Sequence, residues 1–69
     1  MDELEMLSIL RSAIENEKRA QERYREALRT AERDPETQQV FGLILREEEQ
    51  HERRLVEVYQ RFRTSHLER

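Results

Sequence analysis

One break near the middle of the chain governs what it can become. The sequence of 69 residues holds a single Pro and a single Gly, and the Pro follows an Asp at positions 34 and 35. Asp accepts from the first free amides of a helix and Pro suits the first helical position. Before them, Arg29 and Arg33 stand where cations favour a helix C-terminus. At the other end Asp2, with Glu5 three positions on, is a variant of the capping box. The pattern predicts one helix over about 3–32, a turn at 33–35 and a second helix over about 36–63, with 64–69 left as a short unassigned tail. Each helix would be about 40–45 Å long at 1.5 Å rise per residue. So short a joint allows only an antiparallel hairpin, an all-α unit. Gly42 costs about 1 kcal/mol against Ala inside the second helix and is expected to mark a close helix–helix approach.

The apolar positions follow a helical period. On a wheel of about 100° per residue, Met6, Ile9, Leu10, Ala13, Ile14, Ala20, Tyr24, Ala27, Leu28 and Ala31 fall within about 80° of Glu17. Gln21 is the main polar company there. Around Glu48 the same arc holds Val40, Phe41, Ile44, Leu45, Leu55, Val58, Tyr59, Phe62 and also His51. Glu52 lies on a flank of this face, Glu47 and Glu49 point to solvent, and His66 in the tail is expected to be solvated. Glu17, Glu48 and His51 thus occupy positions that packing alone would give to Leu. Counted from the turn, they sit within roughly one helical turn of each other.

A hairpin of this size has too little to bury. Charged residues make up 42% of the chain and hydrophobic ones 35%, so a staple is needed. Cysteine is absent, which removes disulfides, Cys-ligated zinc and iron–sulfur clusters. Acidic and basic residues, 16 and 13, interleave to a net charge of −3. No basic stripe with interleaved aromatics stands out, so nucleic acid is not an expected partner. No apolar run approaches the roughly 18 residues of a membrane span, and no signal-peptide pattern opens the chain. A membrane partner is therefore not expected, and the expected location is the cytoplasm. Oligomerisation and a metal site without cysteine remain as staples.

The buried acids connect the two. An ionised carboxylate in a low-dielectric seam costs several kcal/mol unless paired, and a like-charged neighbour adds to that cost. A hairpin exposing a wide apolar face is expected to pair with a second copy, giving a homodimeric four-helix bundle. Pairing about a twofold axis at this level collects four carboxylates and two imidazoles in one seam. Two divalent cations would cancel the charge, and oxygen with imidazole suits iron or manganese.

Glu17-x6-Tyr24 followed by Glu48-x-x-His51 resembles the metal-binding half of rubrerythrin and ferritin-like proteins. Glu48 lies 31 positions after Glu17, and the resemblance spans about residues 10–60. The chain looks most like the single-hairpin members, the encapsulated ferritins, in which two hairpins complete one di-iron site. It is also similar to designed di-iron hairpins, which share the Tyr-Arg-Glu-Ala-Leu run at 24–28. The resemblance implies Glu17 as a terminal ligand, Glu48 as a bridge between two irons, His51 as a terminal nitrogen ligand and Tyr24 beside the ligands. It further implies a ferritin-like bundle, rings of dimers and iron storage, with ferroxidase chemistry. Those relatives carry extra acids beside the first ligand. Here the neighbours are Asn16 and Arg19, and Glu52 is the available substitute. They also carry a docking peptide for a protein shell (an encapsulin nanocompartment), which Ser65-His66-Leu67-Glu68-Arg69 matches poorly.

Three other readings stay open. A rubrerythrin-like peroxidase would need electrons supplied in trans, because the Cys-ligated iron centre of such proteins has no counterpart here. A metal-free helical adaptor explains length, charge and periodicity but not the acids in the middle of both faces. Zinc or manganese held for structure would use the same ligands.

Overall fold

In the computed structural model, which describes residues 1–66, two antiparallel helices lie side by side. Helix α1 covers Glu3–Thr30 and α2 covers Pro35–His66, in a rod of 53 × 15 × 15 Å. The predicted all-α hairpin is the observed one. Among the described residues, no helix is long and apolar enough to cross a membrane.

Local chemistry sets the ends. The Asp2 carboxylate accepts from the Glu5 amide at 2.8 Å, and Glu3 and Glu5 place negative charge in the first turn, where the helix dipole favours it. Helix α1 stops at Thr30, short of the expected 32, because Ala31 leaves the helical backbone at φ −88°, ψ 26°. Its amide still donates to the Ala27 carbonyl at 2.9 Å, and the Asp34 amide donates to the Ala31 carbonyl at 3.0 Å, closing the turn. Asp34 then starts α2. Its carboxylate accepts from the Thr37 amide at 3.3 Å and the Thr37 hydroxyl at 2.8 Å. Those bonds hold the Asp34 carboxyl below the usual aspartate range.

At the far end α2 runs past the expected limit of 63 to His66. The His66 ring stacks on Phe62 with centroids 4.2 Å apart, and its Nδ1 lies 3.0 Å from the Phe62 carbonyl oxygen. His66 is thus half-buried rather than solvated. Residues 64–66 of the expected tail are helix. Leu67, Glu68 and Arg69, the end of the stretch compared with a docking peptide, lie outside the described residues.

Three contacts show how the helices meet. Near the chain ends, Arg11 Nη2 donates to the Tyr59 hydroxyl at 2.7 Å, with the guanidinium carbon 5.8 Å from the ring centroid. Near the turn, Tyr24 and Phe41 pack with centroids 5.8 Å apart. Between these, the Gln21 amide reaches Glu52 across the seam at 2.7 Å.

The core is thin. Among the described residues only Leu7 and Gln21 are buried. Leu7 lies about 80° from Glu17, at the edge of the expected stripe. On the opposite edge Ile9 of α1 and, in the same sense about Glu48, Val40 of α2 are each 49% exposed, while Met6 near the middle of the α1 face is 37% exposed. Two helices cover only one side of each other's apolar arc, which leaves the other side open. Gly42 is not a point of close approach within the hairpin. A Cβ there would meet nothing nearer than Arg46 Nη1 at 4.0 Å.

Candidate metal centre

Glu17 comes from the middle of α1, and Glu48 and His51 from the facing stretch of α2. The i, i+3 spacing of the last two puts them on one face of α2, and the short turn sets that face level with Glu17. One donor atom from each of the three lies within 4.8 Å of the others. His51 Nδ1 is 3.9 Å from Glu17 Oε2 and 4.0 Å from Glu48 Oε1. These are charge contacts rather than hydrogen bonds. The two carboxylate side chains are 20% exposed, whereas the imidazole is 58% exposed.

The electrostatics are unresolved in a literal sense. Glu17 Oε2 is buried and has no hydrogen-bond partner. The Glu17 pKa is raised above the ordinary glutamate value. Hydrogen bonding with the Glu48 carboxyl, which requires a proton on one of the two, comes first among the causes; burial and the Glu48 charge follow. His51 acts in the opposite direction and Glu52 in the same one. A buried carboxylate oxygen of this kind calls for either a proton or a cation. The donor set, two carboxylates and an imidazole, fits a divalent first-row metal.

The other expected residues fall outside this trio. Tyr24 packs on Phe41, toward the turn from the carboxylates. Arg19 donates to Asn16 on the exposed side of α1, and the acid two residues before Glu17, Glu15, pairs with Lys18 at 3.8 Å. Glu47 is exposed as expected, but Glu49 is half-buried. Glu52 is half-buried and bonded to Gln21. Gln21, from the sequence only polar company on the Glu17 face, is the neighbour that reaches across the seam to Glu52 at 2.7 Å. The available signal was its position one turn after Glu17, matching Glu52 one turn after Glu48.

Hairpin and cluster together define a helical protein with a carboxylate–imidazole site suited to divalent cations. The chain belongs to the rubrerythrin family, whose model matches residues 8–68. That ferritin-like family is generally one of redox-active di-iron proteins. No curated protein and no solved structure gives a significant match.

Proposed function

We propose that this chain is a ferroxidase of the single-hairpin kind. Two copies would pair about a twofold axis and complete a site for two iron ions. The observation that supports this most is the Glu17–Glu48–His51 group, with its donors within 4.8 Å and one buried carboxylate oxygen lacking a hydrogen-bond partner. Glu17 and His51 would act as terminal ligands and Glu48 as the bridge, so a pair of hairpins supplies four carboxylates and two imidazoles. Iron is the substrate here. Each of two ferrous ions gives up one electron, and together they reduce dioxygen, with two protons, to hydrogen peroxide and leave as ferric iron. The carboxylates favour the more highly charged product as hard anionic donors, and a covering second hairpin would keep water away.

Exposure supports the pairing. The imidazole is 58% exposed on a lone hairpin, on the flank of α2 that also carries Val40. A second hairpin laid there would cover apolar surface and the third donor together. Manganese or zinc would fit the same ligands, and iron is preferred here on the family match and its redox character.

Stopped-flow absorbance after adding Fe(II) in air tests the reading. A rapid ferric signal is expected from the unsubstituted chain and its loss from Glu48→Ala. Equal rates for the two overturn the proposed activity.

A further inference from the structure

Gln21 is 6% exposed, the one polar residue buried among those described, and both ends of its amide are engaged. Its Nε2 donates to Glu52 Oε1 at 2.7 Å and lies 3.4 Å from the Glu48 carbonyl oxygen. Its Oε1 accepts from Arg25 Nη2 at 3.2 Å. Gln21 follows Glu17 by one helical turn and Glu52 follows Glu48 by one turn. The amide therefore crosses from α1 to α2 directly beside the candidate metal centre. Glu52 is close enough for its charge to act on Glu17, yet it is not one of the three grouped donors.

We infer that Gln21 is a positioning residue that holds Glu52 out of the donor set. A cation in the centre then meets two carboxylates and one imidazole from each hairpin, rather than three carboxylates and one imidazole. This rests on the metal-binding reading given above. Glu52 shares the face of Glu48 at i, i+4 spacing, and its flexible stem brings a free carboxylate within reach of the same cation. Releasing it from Gln21 would strand a buried Nε2 without its best acceptor, so the amide restrains it more firmly than water would. Arg25 fixes the amide from its other end, which sets Nε2 toward Glu52. The number of anionic oxygens around a site weights its choice of metal, since carboxylate-rich sets suit manganese and imidazole suits the later first-row ions. Gln21 thereby sets metal preference without touching the metal.

Gln21→Leu removes the amide and retains an apolar side chain of similar size against α2. Gln21→Met keeps the length without the donor, so a packing fault peculiar to one variant does not decide the result. Mn(II) and Co(II) titrations of the metal-free chains, with circular dichroism to confirm helix content, give the readout. Both variants are expected to bind Mn(II) several-fold more tightly than the unsubstituted chain, with a smaller change for Co(II). The gain should vanish when Gln21→Leu is made in a Glu52→Leu background. Loss of structure alone would weaken both metals together, with or without Glu52. Mn(II) binding no tighter than in the unsubstituted chain, or a gain that survives in the Glu52→Leu background, overturns the inference while leaving the metal site intact. Failure of the metal reading is distinguishable, because the unsubstituted chain would then bind neither ion, and both proposals would fall.

Discussion

At the residue scale, the buried Glu17 oxygen without a hydrogen-bond partner makes the metal-free hairpin sensitive to protons. The folded-state pKa of Glu17 is raised, first through its contact with the Glu48 carboxyl. The folded chain therefore keeps this proton at pH values where the unfolded chain has released it. Stability from this group is fully present below the unfolded glutamate value and is lost as pH rises through the raised folded value. With chelator present, the unsubstituted chain should melt higher at mildly acidic pH than at neutral pH, by an increment that Glu17→Gln removes. At neutral pH Glu17→Gln should melt above its parent without metal and below it with Mn(II), because a cation bound only to the folded state stabilises that state. A difference between the two chains that does not vary with pH would sink this account. The trio was legible in the sequence because a 3.6-residue period fixes the direction of each side chain, and the short turn fixes their level. Gln21 and Glu52 were less legible, because a wheel gives direction but not which of two neighbouring polar chains reaches across. Only the 2.7 Å contact decides that.

At the scale of the helices, caps and turn follow from side chains whose roles are local. Asp2 and Asp34 each satisfy amides three residues on, so the positions of both starts could be read directly. The stops were harder to read. Ala31 carries no chemical mark for the end of α1, and the extension of α2 depends on His66 finding a ring and a carbonyl four residues back. Gly42 is the instructive miss. A lone glycine in a helix suggests contact, yet the space beside it opens to Arg46 alone. Gly42→Ala should therefore stabilise the isolated hairpin by about 1 kcal/mol through helix propensity. That corresponds to about 7 °C in melting temperature for a chain of this size. Melts at low protein concentration with chelator measure it, and a fall in melting temperature would show that the site is crowded after all.

For the whole molecule, the uncovered surface has a symmetry that one hairpin does not use. Ile9 lies eight residues before Glu17 and Val40 eight residues before Glu48. Because α1 and α2 run in opposite directions, those steps lead to opposite sides of the metal centre, about 12 Å each way at 1.5 Å per residue. In the proposed pair, a twofold axis perpendicular to the helices at the level of the centre would set Ile9 of one hairpin opposite Val40 of a second copy, twice, with the exposed His51 side chains between. Both apolar side chains are 49% exposed in the single hairpin, and mutual covering would remove that surface from water. Ile9→Lys should then separate the pair into single hairpins in sedimentation velocity and slow iron oxidation, although Glu17, Glu48 and His51 are unchanged. Val40→Glu should do the same alone. Placed together in one chain, the two substitutions set opposite charges across the interface at both contacts. The doubly substituted chain should recover part of the association, since such exposed ion pairs contribute about 0.2–1 kcal/mol each. Recovery weaker in high salt than in low salt is the signature of that contact. If neither single substitution changes the sedimentation of a self-associating chain, the hairpins meet through another face.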